Sequence, residues 1–392
     1  MRRAPLILPL LCALAAPGCD DEPELREVDL GHQTADEAPE PGDGDAEEEA
    51  DETEEPAGDE VRLVQRSRPI MGTVFQVSVA GMPEAEAGPL IGRALDEIER
   101  LEAVLSEWRD DTEVSAINQA AGGEAPVEVG PDTLRVVEAG LDVSRWSDGA
   151  FDLSWAALRG LYTFQPGERR IPPLREVRER LRLVDWRAIE LDEEASTVRL
   201  AREGMSIGTG GIGKGYALDR AGDVLREGGA ESFMLFGGGQ VQVHGMRGDR
   251  PWRVGIQHPR DPRTYIGFLE ATEGSISTSG DYEHAFVDEE GTHWHHIIDL
   301  STGLPARRTM QVTLLAPRGV YADALSTAAF VLGPERALAM LAEVPGGPEA
   351  VIIDPRLGIH TTPGTEDRLI MRVPVEDGRI PGEPTFRGWR GR

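Results

Sequence analysis

Apolar residues recur at helical spacing along much of the chain. The clearest case is Glu84 to Ser106, where they fall on one face of a predicted helix. Thr112 is placed to cap a short helix that follows, and Gly228 and Gly229 to end a later one. Further helices are predicted over 112–118, 131–146, 172–183, 216–227, 321–332 and 334–341.

Alternating or short apolar runs predict strands between these helices. The run 62–80 indicates one or two strands around a bend at 69–73, and 189–200 indicates a hairpin turning at 193–195. Other strands are predicted over 233–236, 240–244, 252–257, 265–271, 311–316 and 350–354. Many strands interspersed with helices, several in antiparallel-looking hairpins, predict an α+β or mixed α/β fold.

The first nineteen residues follow a different pattern. Arg2 and Arg3 precede an apolar run, Leu6 to Ala16, that is too short to span a bilayer as a permanent helix. The run ends in Ala15-Ala16-Pro17-Gly18-Cys19, which predicts a lipoprotein-type signal over 1–19 with an anchor at Cys19. An ordinary secretory signal with a chance cysteine is the alternative.

Residues 20–60 are dominated by acidic side chains. About half of them are Asp or Glu, and this segment holds well over half of the formal net charge of −30. Such a composition predicts a disordered linker, which leaves 61–392 as the folded domain. No basic patch appears, which disfavours nucleic-acid binding. Cys12 and Cys19 are the two cysteines, so the folded region has no disulfide and no thiol nucleophile.

A glycine-rich loop stands out within the folded region. Ile207 to Asp219 reads IGTGGIGKGYALD, with Lys214 where the loop enters a predicted helix. Exposed N–H groups, a helix N-terminus and a cation suit a phosphate. The loop is not a Walker sequence, because Gly215 follows the lysine, and it does not match a dinucleotide fingerprint. A simple strand–turn–helix connection remains the alternative.

A carboxylate and a hydroxyl share one face of a later helix. Asp323 and Thr327 lie four residues apart, so their oxygens reach toward one point. Hard oxygen donors suit Mg²⁺. The alternative is that Asp323 caps the helix and Thr327 is a surface residue.

Histidines and one further carboxylate complete the candidates. His293 and His295 would face one side of an extended segment and His296 the other, so a three-histidine zinc site is disfavoured and one catalytic or binding histidine is preferred. Histidines that only pack or face solvent are the alternative. Asp152 follows a tight turn and is a binding residue or a helix cap. No GxSxG motif supports a serine hydrolase.

Taken together, these segments resemble the ApbE family of FAD:protein FMN transferases, in order from Ile70 to Ala350. The matching pieces are Met71-Gly72-Thr73; Leu105-Ser106 with Trp108 and Asn118; Asp148-Gly149-Ala150-Phe151-Asp152; GGIGKGYALD from Gly210; Gly237-Gly238; SISTSGDYE from Ser275; HIID from His296 with Thr302-Gly303 and Pro305; and ADALSTA from Ala322.

The resemblance implies a flavin transferase fold with FAD and metal at the junction of two intimately joined α/β lobes. It implies Mg²⁺-dependent transfer of FMN from FAD to a Thr or Ser hydroxyl of an acceptor protein, with release of AMP. It also implies a membrane-anchored lipoprotein facing the periplasm, with the inner membrane favoured. By motif, the metal ligands are Gly211, Asp323 and Thr327. The FAD site is lined by Met71, Trp108, Ala150, Phe151, Asp152, Lys214 and Ile297, and His296 is the candidate base.

Two positions depart from the family pattern. Gly208 stands where the family has Asp, so a carboxylate that would contact the nucleotide is missing, and Leu300 stands where Pro is usual after HIID. The first departure motivates an alternative, a flavin-binding lipoprotein without transfer. A second alternative is an FAD pyrophosphatase that uses the same metal.

Overall fold

The computed structural model describes residues 61–164 and 168–383. The signal predicted over 1–19 and the linker predicted over 20–60 lie outside these residues. The helices are α1 (Glu84–Leu105), α2 (Glu113–Gln119), α3 (Pro131–Trp146), α4 (Leu174–Leu181), α5 (Gly213–Glu227), α6 (Gly319–Leu332) and α7 (Pro334–Glu343). None of the helices in this described part is both long and apolar enough to span a bilayer.

The strands outnumber the helices, and several are only two or three residues long. They are β1 (Leu63–Ile70), β2 (Thr73–Ala80), β3 (Val127–Glu128), β4 (Ile189–Asp192), β5 (Thr197–Leu200), β6 (Phe233–Gly237), β7 (Gln240–His244), β8 (Trp252–His258), β9 (Asp261–Ala271), β10 (Glu273–Gly280), β11 (Ala285–Val287), β12 (His293–His295), β13 (Ile298–Asp299), β14 (Leu304–Pro305), β15 (Gln311–Ala316), β16 (Glu349–Ile353), β17 (Ile359–Thr361) and β18 (Leu369–Met371).

One antiparallel sheet organises the fold. Its order is β1-β2-β6-β7-β10-β15-β16-β17, and every neighbouring pair runs antiparallel. Alternation along each strand divides the core between the two faces. Phe75, Phe233 and Leu314 pack on the face that carries the helices. Val243 and Ile276 join a second core with the β8-β9-β18 sheet.

The predicted elements agree with this architecture in type. Mixed helix and sheet was expected, and the helix predicted from Glu84 ends one residue earlier than expected, at Leu105. Thr112 caps α2 as predicted, because its hydroxyl accepts a hydrogen bond from the Ser115 amide at 3.1 Å. The bend at 69–73 is a two-residue hairpin in which Met71 and Gly72 both have positive φ. This geometry matches the twist of the flanking strands.

Helices α5 and α6 cross at two glycines. A methyl group on Gly215 would lie 2.0 Å from the Gly319 carbonyl oxygen, and one on Gly319 would lie 2.3 Å from the Gly215 carbonyl oxygen. Only glycine allows the two backbones to approach this closely. The crossing therefore fixes the helix that begins at the glycine loop against the helix that carries Asp323 and Thr327.

The same two helices cap each other. Asp219 of α5 accepts hydrogen bonds from the Gly319 and Val320 amides, 2.7 and 3.0 Å away, at the start of α6. Asp323 of α6 accepts one from the Gly215 amide, 3.0 Å away, in the first turn of α5. These amides have no partner within their own helices. The expectation that Asp323 caps its own helix is therefore wrong, because it caps the neighbouring one.

We predict that Gly215→Ala lowers the free energy of unfolding by about 1–3 kcal/mol, because the added methyl group meets backbone atoms that have nowhere to move. Urea unfolding followed by circular dichroism measures the change. Gly92→Ala in α1 is the control, since that position has open space and should gain roughly 0.5–1 kcal/mol. Equal stability of the two variants would contradict the crossing.

Candidate functional site

The glycine loop is held by side chains of neighbouring segments. The Asn118 amide group bonds both the N–H and the C=O of Ile207, at 2.7 and 3.0 Å. The Thr209 hydroxyl donates to the Leu105 carbonyl at 2.7 Å. These bonds fix the loop before it enters α5, so its later carbonyls and amides have defined directions.

Two hairpin turns meet the loop at Lys214. A methyl group on Gly238, in the β6–β7 turn, would lie 3.0 Å from Lys214 Cδ and 3.2 Å from Thr73 Cγ2. Thr73 begins β2 directly after the Met71-Gly72 turn. The motif residues Met71, Lys214 and Gly238, far apart in sequence, are therefore gathered at one edge of the site. The ammonium group of Lys214 donates to the Gly210 carbonyl at 2.8 Å.

Asp323 is a buried carboxylate, and no cation within residues 61–164 and 168–383 bonds it directly. Oδ2 accepts the Gly215 amide, and Oδ1 accepts the Gln240 amide nitrogen at 2.8 Å. Burial raises the pKa of Asp323, and the nearby charge of Lys214 and the Gly215 N–H oppose that rise. Each oxygen keeps one acceptor position free, so a cation can still bind.

Hydroxyl groups support Asp323 from the sheet. The Gln240 side chain also donates to Ser277 Oγ at 2.9 Å, and Ser277 bonds Ser326 of α6 at 2.8 Å. Ser326 in turn donates to the Asp323 carbonyl at 2.8 Å. The three polar side chains of this strip, Gln240, Ser277 and Ser326, are all buried.

The three predicted metal ligands lie together. A methyl group on Gly211 would lie 3.8 Å from the Thr327 hydroxyl oxygen and 3.3 Å from the Phe151 ring. Thr327 lies one helical turn beyond Asp323 and is partly exposed. Its hydroxyl group makes no hydrogen bond to residues 61–164 and 168–383. The set comprises one carboxylate, one hydroxyl and one carbonyl, all hard oxygen donors.

The histidines separate as alternation predicts. His293 and His295 are buried and His296 is exposed. The His295 Nε2–H donates to the Ala306 carbonyl at 2.7 Å, and burial lowers the pKa of His295 to about 3. Among the described residues, no three His, Cys, Asp or Glu side chains converge as a metal site.

His296 has the geometry of a base. Its Nδ1–H donates to the Glu283 carbonyl at 2.9 Å, which leaves the Nε2 lone pair free. The ring is reached by solvent but lies in a recess. Desolvation there lowers the pKa of His296 to about 4; the Glu283 carbonyl opposes the shift, and His284 and Lys214 add to it. His296 is therefore neutral at pH 7.

Two predicted FAD-lining residues, Asp152 and Ile297, have clear structural roles. Asp152 is a cap, because it accepts from the Ser154 amide at 2.8 Å and the Trp186 amide at 2.8 Å. Its carboxylate holds the turn that places Ala150 and Phe151. Ile297 is buried in the core. Direct ligand contact by Asp152, Ala150 or Ile297 stays a prediction.

At Gly208, where the family's Asp is missing, a carboxylate from another segment lies close to the loop. A methyl group on Gly208 would lie 2.5 Å from Glu107 Oε2 and 2.9 Å from the Trp155 ring. Glu107 is buried, lies 3.1 Å from Arg159 Nη2 and accepts the Gly210 amide at 3.2 Å. The loop therefore does have a carboxylate beside Gly208. Leu300, the other departure, packs in a small apolar cluster.

Sequence reasoning missed several residues of the site, among them Glu107, Arg159, Asp219 and Gln240. Gln240 had a usable signal, because a polar side chain at an inward-facing strand position needs a buried partner. Glu107 and Arg159 had none, since their pairing joins segments about fifty residues apart.

Comparisons with known proteins match the family resemblance seen in the sequence. The model of the ApbE family matches residues 71–352. The chain is 32% identical to the FAD:protein FMN transferase of Treponema pallidum, over 79% of this chain and 89% of that protein. It is 30% identical to the FAD:protein FMN transferase of Vibrio cholerae, over 71% of this chain and 84% of that protein.

Solved structures have the same fold. The crystal structure of the ApbE protein of Thermotoga maritima superposes with a TM-score of 0.72 at 28% identity, covering 78% of this chain and 99% of that one. The apo flavinyl transferase ApbE of Pseudomonas stutzeri superposes with a TM-score of 0.66 at 28% identity, covering 77% and 94%.

We predict that the protein loses stability below pH 6.5 partly through His295. The unfolded imidazole takes up a proton near pH 6.5 but the folded one only near 3, so the unfolded state binds more protons in this window. Between pH 7 and pH 5, His295 alone should lower the free energy of unfolding by about 2 kcal/mol. Urea unfolding at pH 7 and pH 5 measures it. His295→Gln should be less stable at pH 7 yet less pH-dependent; an unchanged pH dependence would contradict the assignment.

Proposed function

The chain belongs to the ApbE family, and on that premise we propose that it transfers the FMN part of FAD to a hydroxyl group of an acceptor protein. The relatives named FAD:protein FMN transferase support the overall reaction. The observation that carries the proposal is that the glycine loop at Gly211 lies against Thr327, one helical turn from the buried carboxylate of Asp323. The same loop leads into α5 at Lys214, whose ammonium group bonds the Gly210 carbonyl.

The residues present fit Mg²⁺. Asp323 is buried and its described hydrogen-bond partners are neutral, so its charge is costly, and a divalent ion beside it would offset that cost. Gly211 would contribute its carbonyl and Thr327 its hydroxyl, and water or phosphate oxygens would complete the shell. When bound, the ion would neutralise charge on the pyrophosphate of FAD.

The chain's own groups account for the rest of the reaction. His296 Nε2 would take the proton from the acceptor Thr or Ser hydroxyl. The hydroxyl oxygen would then bond to the phosphorus on the FMN side of the pyrophosphate. The bond from that phosphorus to the bridging oxygen would break, and AMP would leave with the electron pair. Lys214 would stabilise the negative charge that develops on the phosphoryl oxygens.

The remaining predicted residues would hold FAD. Trp108 is 74% exposed, which suits a ring that stacks on a flavin or an adenine. Phe151 lies against Gly211, and Met71 lies in the turn next to Thr73, which neighbours Lys214. These contacts surround the loop, and they support a ligand that reaches from Trp108 past Lys214 to His296.

We also propose that the enzyme works at the bacterial cell envelope, attached to a membrane through lipid on Cys19 and facing the periplasm. The charged start, the short apolar run and the Gly18-Cys19 pair support this location. The acidic linker predicted over 20–60 would hold the catalytic domain away from the bilayer.

The transfer reaction can be tested directly by mass spectrometry. Purified protein, FAD, Mg²⁺ and an acceptor domain should yield an acceptor heavier by one FMN. Asp323→Asn should lower the rate by roughly two orders of magnitude or more, because the anionic ligand of the metal is lost. Asp142→Asn is the control. The Asp142 carboxylate lies outside the site and accepts a hydrogen bond from Tyr321, which is on the same helix as Asp323. Full transfer by Asp323→Asn would refute the metal assignment.

The same assay separates the alternatives. Release of AMP in the absence of acceptor would favour an FAD pyrophosphatase. Tight binding of FAD with neither AMP release nor adduct would favour a flavin-binding lipoprotein.

We predict that the acid limb of kcat/KM for transfer lies below pH 6.5, near the lowered pKa of about 4 for His296. A neutral imidazole is the active form, so the rate should fall only as pH approaches that value. His296→Gln should lower kcat by about 10²- to 10⁴-fold. Circular dichroism at each pH excludes unfolding. An acid limb at pH 6.5, or an active His296→Gln, would contradict the role of this base.

A further inference from the structure

Arg159 stands between the exposed ring of Trp108 and the glycine loop. Its guanidinium carbon lies 4.9 Å from the centroid of Trp108 and 6.0 Å from that of Trp155. Trp108 is 74% exposed, so packing against other side chains does little to fix the position of its ring. The guanidinium therefore covers one face of the indole and leaves the other open.

Glu107 fixes Arg159 in that position. The Arg159 Nη1 group donates to the Glu107 carbonyl at 2.9 Å, and Nη2 lies 3.1 Å from Glu107 Oε1. The Glu107 side chain is only 3% exposed, so this ion pair is screened little by solvent. Because Glu107 directly precedes Trp108, the pair also restricts the backbone from which the ring projects.

The other carboxylate oxygen of Glu107 reaches the loop. Oε2 accepts the Gly210 amide at 3.2 Å, one residue before Gly211. It also occupies the space that a side chain at Gly208 would need. One carboxylate thus joins the stacking ring to the loop that would present a carbonyl to the metal.

We propose that the Glu107–Arg159 pair positions Trp108 for stacking on a planar ring of FAD and holds this ring in register with the glycine loop. The inference rests on the proposed function. Glu107 and Arg159 are positioning residues, because they act through Trp108 and the Gly210 amide. The pair would matter most for binding of the ligand, since the stacking contact exists before and during the reaction.

The test measures binding of FAD by flavin fluorescence, so it does not depend on transfer. Arg159→Met should weaken binding about 5- to 30-fold, the range expected when a cation–π contact and its ordering effect are lost. Glu107→Gln should weaken it in the same direction, and Arg159→Lys should restore part of the affinity. In assays of transfer, KM should rise more than kcat falls.

A double-mutant cycle distinguishes positioning from a purely structural role. In a Trp108→Ala background, Arg159→Met should weaken FAD binding by less than about 2-fold, because no ring remains to be positioned. A structural role would instead weaken binding equally in both backgrounds, and that result would overturn the inference. Arg372→Met is the matched control, because Arg372 lies 5.5 Å over the Phe268 ring in another sheet. It should leave FAD affinity unchanged.

The possible failures differ in their readout. If the wild type binds FAD but transfers no FMN, the proposed function is overturned, and the binding test of the pair still applies. If Arg159→Met binds FAD as tightly as the wild type, only the inference about the Glu107–Arg159 pair is overturned. Absence of FAD binding by the folded wild type would overturn both. Thermal melting of each variant confirms that the protein compared is folded.

Discussion

The close crossing of α5 and α6 is the constraint on which the site depends. Gly215 and Gly319 let the two backbones meet, and each helix then supplies the carboxylate that caps the other. Because the caps are reciprocal, neither helix can shift without leaving buried amides unsatisfied. Asp323 is therefore fixed relative to the loop that opens α5, although about a hundred residues separate them.

The same arrangement explains why Asp323 suits a cation. Asp219, the buried cap of α6, lies 3.4 Å from the guanidinium group of Arg318. Asp323 is bonded by neutral donors, and the nearby charge of Lys214 and the Gly215 N–H offset its desolvation only in part. The hydroxyl strip on β10 and α6 provides bonds without adding a competing charge. Asp323 thus both caps α5 and offers a buried carboxylate to the proposed metal ion.

The far side of the loop is organised by a different charge pair. Glu107 and Arg159 lie between the loop and Trp108, so the loop is bounded by an acidic group at each end: Glu107 near Gly208 and Asp323 near Gly215. In the part of the chain that the structure describes, Glu107 has an arginine partner, Arg159, and Asp323 has none. Asp323 instead lies close to Gly211 and Thr327, the other two proposed metal ligands.

Periodicity in the sequence was sufficient for most elements but failed where packing is unusual. The hydroxyl-rich segment SISTSGD was not assigned a strand, yet it lies in β10, because its inward residues face a buried polar network rather than an apolar core. Helix α5 begins at Gly213 rather than Tyr216 because glycines carry no apolar pattern. Segments with regular apolar faces, such as α1 and α3, were predicted within a residue.

The sequence by itself determined the kind of fold, the family resemblance and the candidate residues, since local spacing and short motifs carry that information. Tertiary structure decided which of them meet. It placed Asp323 as the cap of a neighbouring helix, turned Asp152 inward, separated His296 from His293 and His295, and brought Glu107 to the space beside Gly208. These outcomes depend on contacts between distant segments, which no local pattern encodes.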